Sequence, residues 1–169
     1  FPIEMIKTIF VIGISSLVAM PLWASNSHCK IDEKIIFSCL LKKNKKIVSI
    51  CASNNFSVHD GYLQYRFGKK GKIELVLPVS ESSSQAIQAK SLMFSGGGGG
   101  YLRFINEPYH YVVYSAIGRG WGQKDGVAIE KNQRLIAYSE CKNVPISEMG
   151  GNFFSKSGLP IDTREFLLP

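Results

Sequence analysis

GYLQYRFGKKGKIELVL, residues 61–77, is the stretch that decides the fold class of this chain. Tyr62, Gln64 and Arg66 alternate with Leu63, Tyr65 and Phe67. This period of two puts apolar side chains on one face of a strand and polar ones on the other. Gly68-Lys69-Lys70-Gly71 supplies turn residues, and Ile73, Leu75 and Leu77 resume the apolar face beyond them. The segment reads as a β-hairpin with one face buried and one face wet.

The same pattern recurs in both directions. Upstream, Ile35 to Leu41 and Ile47 to Cys51 flank Lys42-Lys43-Asn44-Lys45-Lys46, a hairpin with a charged tip. A turn centred near Lys45 would set Cys39 opposite Cys51, which permits a bridge without requiring one. Downstream, Ser80 to Gln88 has no apolar period and reads as a loop, with a helical turn at Ala86 to Ala89 and a short strand at Leu92 to Phe94. Gly96 to Gly100 reads as a mobile loop. A phosphate loop needs Lys-Ser/Thr and a helix after its glycines, whereas Tyr101-Leu102-Arg103-Phe104 continues as a strand.

Two more hairpins follow. Tyr101 to Ile105 and Tyr109 to Ala116 flank Asn106-Glu107-Pro108, and Val127 to Glu130 and Arg134 to Cys141 flank Lys131-Asn132-Gln133. Pro108, which lacks an amide donor, belongs at the turn. The tail from Val144 to Pro169 carries Phe153, Phe154 and Phe166-Leu167-Leu168, too apolar for a free end, and is expected to pack on a sheet. Eight or nine short strands with little helix predict a mainly β protein, an antiparallel β-sandwich or small barrel.

The front of the chain gives an address. Met5, Lys7, the apolar run to Met20, Pro21 and Leu22-Trp23-Ala24 have the order of a cleaved secretory signal, with Phe1 to Glu4 outside that scheme. The apolar run is shorter than the roughly 20 residues of a membrane span. Residues 1–24 are therefore read as a signal peptide and 25–169 as a single exported domain, periplasmic or secreted, with no membrane span of its own. In that compartment Cys29, Cys39, Cys51 and Cys141 are expected to form two disulfides. The cysteine spacings contain no zinc-binding unit, and no cofactor is expected.

The net charge of +7 survives removal of residues 1–24, because Glu4 and Lys7 leave together. A basic exported protein meets anionic envelope polymers or acidic proteins, and the address argues against nucleic acid. Signals for catalysis are sparse. His28, His59 and His110 are the only imidazoles, and no nucleophile motif accompanies His59-Asp60; Glu74, Glu107 and Asp125 stay open as a carboxylate pair, since such pairs can lie far apart in sequence. Gly118-Arg119-Gly120-Trp121-Gly122 instead places Arg and Trp, residue types typical of binding hot spots, on a glycine-rich loop.

Cys39 on an early strand, Ser95-Gly96 before Tyr101, Tyr111-Val112-Val113-Tyr114-Ser115, and a closing hairpin ending in Cys141 together resemble the periplasmic lysozyme inhibitors of the membrane-bound/C-type class. That likeness implies a small β-barrel, a bridge between Cys39 and Cys141, and an inhibitory loop carrying Ser95 and Tyr101. The chain departs from the family in its five-glycine run, its greater length and its lack of the family's Trp-x-Lys-Gly. Its layout also suits exported immunity proteins that neutralise toxins. The expectation is a non-catalytic inhibitor or immunity protein of a cell-envelope hydrolase, touching its partner through Ser95, Gly96, Tyr101, Arg119 and Trp121 on loops 95–101 and 117–126. The alternatives are a binding module for an anionic envelope component, through lysines 42–46 and 69–72, and a small hydrolase with an unassigned site.

Overall fold

The computed structural model describes residues 26–57, 59–80 and 86–169; the export signal read at residues 1–24 lies outside them. The alternating segments form two antiparallel five-stranded sheets packed face to face. The first sheet contains β1 (Glu33–Leu40), β2 (Ile47–Ser53), β3 (Leu63–Lys69), β4 (Lys72–Leu77) and the short β10 (Ile146–Ser147), in the order β10-β1-β2-β3-β4. The second is a meander of β5 (Ile87–Phe94), β6 (Gly97–Asn106), β7 (Tyr109–Gly118), β8 (Gly122–Lys131) and β9 (Arg134–Glu140). One helix, α1 (Gly151–Ser157), follows β10.

The core lies between the sheets. Phe37, Val48, Ile50 and Tyr65 from the first sheet meet Leu102, Phe104 and Val113 from the second, all nearly inaccessible. Tyr65 bridges the layers, its ring 5.6 Å from Phe104 and 5.5 Å from Tyr111. The sheets do not close into a barrel; they join at one corner, where Leu41 and Cys141 form an isolated bridge. The Cys39–Cys141 disulfide fastens that corner, and Cys29–Cys51 forms the second bridge. Cys39 and Cys51 do not face each other. The β1–β2 register pairs Cys39 with Val48 and Cys51 with Ile35, because the turn sits nearer Asn44 and a bulge at Ile36 shifts the strand.

Two chain segments roof the outer faces, so neither sheet has the wet face that alternation predicts. Over the first sheet runs the segment leading into β1. The Ser38 hydroxyl donates to the Asn26 carbonyl (2.7 Å), the His28 amide donates to Ser49 Oγ (3.0 Å), and Cys29 is bonded to Cys51. Beneath it, Arg66 makes a two-pronged bond to Glu33 (2.7 Å each) and donates to the His28 carbonyl. Gln64 and Arg66 are therefore buried.

Over the second sheet runs the tail, residues 159–169. It is held to the edge strand β5 by a bond from the Ala89 amide to the Pro160 carbonyl and one from the Asp162 amide to the Ala89 carbonyl, both 2.9 Å. From there alternate residues point at the sheet. Asp162 is buried, and Phe166 packs 5.0 Å from Tyr101 and 6.0 Å from Tyr114. Their chain neighbours Ile161 and Leu167 face outward.

The glycine run is not a loop. Gly97 to Gly100 are the first residues of β6, all four paired with β5 and Gly98 to Gly100 also with β7, and only Ser95-Gly96 turn the chain. Phe94 pairs with Gly97, so β5 runs the full length of the hairpin; of the helical turn expected at Ala86 to Ala89, Ala86 alone is 3₁₀-helical, and Ile87 to Ala89 are strand. Glycine weakens a strand because it has no side chain to pack. Here neighbours occupy the missing space: the Phe154 ring lies where a Gly100 Cβ would stand, and the Ser115 carbonyl and Ala116 where a Gly99 Cβ would stand.

Candidate functional site at the tip of the second sheet

The residues singled out in the sequence converge only in part. The β5–β6 turn (Ser95-Gly96) and the β7–β8 turn (Arg119-Gly120-Trp121) lie side by side at one end of the sheet, and the Arg119 amide donates to the Gly96 carbonyl at 3.2 Å. Gly96 and Gly120 take left-handed backbone, with φ of 79° and 91°, which L side chains rarely adopt. The turns are short because β5 to β8 run almost to the tip. Loops 95–101 and 117–126 thus shrink to two tight turns.

Tyr101 does not belong to this surface. It lies within β6, wholly buried under Phe166, and its hydroxyl donates to the Arg164 carbonyl at 3.3 Å. Burial, with the charge of Asp162 nearby, pushes that hydroxyl up to about 12. Four glycines in β6 carry the chain from turn to core before Tyr101 is reached, so this side chain is four residues too deep to touch a partner.

Trp121 folds back over Gly118, its indole edge filling the place of a Cβ there. Phe94 meets it edge-on with centroids 5.6 Å apart, and the Lys124 ammonium stands 5.7 Å from the indole. Even so packed, Trp121 is 40% exposed, with Ile117 at 59% and Met93 at 86%. Phe94, Met93 and Ile117 were not marked in the sequence. Their signal was present as apolar residues immediately flanking the glycine turns, and it was masked by taking the glycines for a loop.

Behind the tip lies an open cleft of about 470 Å³, floored by Gly98, Ser115 and Gln123 and walled by Met93, Ile117 and Met149-Gly150-Gly151. The Ser115 hydroxyl donates to Asp125 at 2.7 Å. Burial raises the Asp125 carboxyl above its ordinary range against that bond and one from Gln123. A serine and a carboxylate alone do not make an activated nucleophile, which needs a base oriented beside it. Among the described residues no histidine bonds to either.

Other candidate chemistry is taken up structurally. Glu74 pairs with Lys46 at 2.5 Å and Glu107 with His110 at 3.0 Å, so Glu74, Glu107 and Asp125 have three separate partners. Cys29, Glu33 and Cys51 lie close together. Their sulfurs are bonded to each other, and the carboxylate accepts from Arg66 and Tyr62. Burial raises the Glu33 carboxyl, yet bonds from Arg66, Tyr62 and the Lys30 amide overcome this and hold it at about 2.

The largest buried charge cluster lies under the tail. Arg103, wholly inaccessible, donates through Nε to Asp162 (2.5 Å) and through Nη1 to Glu130. Arg164 reaches Asp162, Gln88 and the His110 ring. Nothing in the sequence marked Arg103, which stands in an apolar strand. The cluster latches the tail and is closed to substrate.

Fold and site together define a disulfide-linked, two-sheet β-sandwich with an aromatic, cationic tip. Family models, curated proteins and solved structures were each compared with this chain, and none matches. No helix among the described residues is long and apolar enough to cross a membrane.

Proposed function

We propose that this chain is an exported, non-catalytic binding protein, an inhibitor or immunity protein that seats its tip in the acidic cleft of a cell-envelope hydrolase or toxin. The observation that carries this reading is the joining of two turns over 20 residues apart in sequence into one exposed cluster of Trp121, Phe94, Met93, Ile117 and Arg119. Exposed aromatic and Arg side chains on a rigid support lose little entropy on binding and are the usual anchors of tight interfaces. Residues 91–99 and 115–124 contain Arg119 and Lys124 and no acid. The tip therefore complements a cleft lined by carboxylates, as glycoside-cleaving sites are. Two disulfides support an oxidising compartment.

The test is capture of the partner from envelope extract, followed by affinity measurement with Trp121→Ala and Arg119→Glu. Each is expected to weaken binding at least about 30-fold, the effect of losing a hot spot of ~2 kcal/mol, with melting temperature unchanged. Two folded variants that bind within twofold of the parent would exclude the tip as the contact. Binding to an anionic polymer through the lysines would instead collapse with salt and ignore both substitutions.

A further inference from the structure

We propose a second binding site, for a single-chain anionic amphiphile such as a long-chain carboxylate, in the cleft between the edge strands β4 and β9. The cleft holds about 420 Å³, within the usual size of small-molecule sites. It exists because the sandwich is open along this side. Tyr65, Phe67 and Leu75 of the first sheet face Tyr111, Val127 and Ile129 of the second. Beside them, where a larger residue would fill the gap, β9 supplies Ala137, paired with Ile129 and exposed. Ser139 stands in the wall, and its buried hydroxyl has no hydrogen-bond partner. Leu135, Ile136 and Tyr138 on β9 and Ile73 on β4 remain exposed on the two strands that flank the opening. A lining this apolar suits a hydrocarbon chain, which is stabilised by each methylene it removes from water.

The rim selects the head group. The charged tip of the β1–β2 hairpin overhangs the opening: the Lys43 ammonium sits 4.5 Å from the Tyr138 ring, and Lys46 lies 5.0 Å over Phe67. The one acid in the lining, Glu74, is paired with Lys46 at 2.5 Å, and that bond holds it below the ordinary carboxylate range. Those two charges cancel, which leaves Lys43 in the lining of an apolar slot; the acid that feels its charge, Glu140, is itself bonded to Lys42 at 2.6 Å. A cationic or neutral head would gain nothing there; a carboxylate gains the Lys43 ammonium. The site is independent of the tip and does not rest on the inhibitor reading.

The test uses the disulfide-bonded protein and the fluorescent carboxylate 11-(dansylamino)undecanoic acid. Saturable one-to-one binding is expected, with displacement by dodecanoate at least about ten-fold more effective than by dodecyltrimethylammonium. Ala137→Trp fills the slot and is expected to weaken probe binding at least about ten-fold. Should Ala137→Trp not fold, Lys43→Glu decides: it is expected to remove the preference for dodecanoate while keeping dodecyltrimethylammonium binding. Trp121→Ala is expected to bind the probe as the parent does. Absence of saturable binding, equal displacement by the two detergents, wild-type affinity in folded Ala137→Trp, or loss of binding in Trp121→Ala would each overturn the proposal.

Discussion

Asp162→Asn tests whether the tail is held by charge. Its carboxylate accepts from Arg103 Nε at 2.5 Å and from the Arg164 amide at 3.0 Å, and both Arg103 and Asp162 side chains are wholly buried. Removing one partner of a buried pair costs about 3–5 kcal/mol, because the remaining charge is left without compensation in a dry site. Arg103 keeps Glu130, so the low end applies, about 3 kcal/mol. For a domain of this size that corresponds to a fall of roughly 10 °C in melting temperature, read by calorimetry with both disulfides intact. Salt is not expected to restore it, since screening does not reach a buried pair.

The pH dependence fixes the cause. Burial raises the Asp162 carboxyl, but the bonds from Arg103 and Arg164 outweigh it and hold the group below its ordinary value. A carboxylate depressed in the folded state stabilises above its unfolded pKa of about 3.9, and that contribution is lost as pH falls through the folded value. The gap between parent and Asp162→Asn is therefore expected to be full at pH 7 and to narrow below about pH 4. Trypsin provides an independent readout, because loosening of the tail exposes Arg164 to cleavage. A melting temperature within about 2 °C of the parent at pH 7 (about a fifth of the effect worked above), or a gap that does not shrink in acid, would refute the latch.

The other latches give parallel expectations. Glu33→Gln strands the buried Arg66 and is expected to cost about 3 kcal/mol at neutral pH. That cost should fade between about pH 4 and pH 2 in an acid titration followed by circular dichroism, because the folded carboxyl titrates at about 2. The disulfides should differ by the loops they close: removing Cys39–Cys141, separated by 102 residues, is expected to cost about 4.7 kcal/mol, and Cys29–Cys51, separated by 22, about 3.4, measured by urea unfolding of paired Cys→Ala variants. Gly99→Ala puts a methyl 2.3 Å from the Ser115 carbonyl and 2.5 Å from Ala116 Cα, and is expected to cost about 1–3 kcal/mol. Gly98→Ala, whose nearest neighbour would be the Leu92 carbonyl at 3.1 Å, should cost less, and equal losses would refute the close-approach explanation.

The strands were legible because their apolar residues obey a two-residue period and their turns carry Gly, Asn, Pro and Lys. Leu63, Tyr65 and Phe67 face the core as that period requires. What escaped notice has a physical reason in each case. Gly97 to Gly100 form a strand only because Phe154 and the backbone of β7 fill the space that side chains would take, a contact made between residues far apart in sequence. Arg66 was assigned to the wet face and Arg103 was passed over, because isolated Arg residues belong in water. Both are buried, since Glu33 and Asp162 arrive from segments that only the fold places overhead. The packing of the tail was legible from Phe166-Leu167-Leu168, but not its register, because its inward set from Asp162 to Leu168 begins with two charges.

Those roofs also narrow where binding can happen. A two-sheet protein ordinarily offers its outer faces to partners. Here the N-terminal segment and the tail cover them, and each is fastened by a buried Arg–carboxylate pair. On the binding role proposed above, recognition would fall to the places the roofs do not reach. These are the tip, where four strands end in two glycine turns around Trp121, and the open side, where Ala137 leaves the sandwich unfilled. Spending buried charge on both faces makes sense if the rigid sheets exist to hold those two places in position. Loosening either roof should then weaken binding at the tip or in the slot less than it lowers the melting temperature, because neither contact surface contains a latch residue.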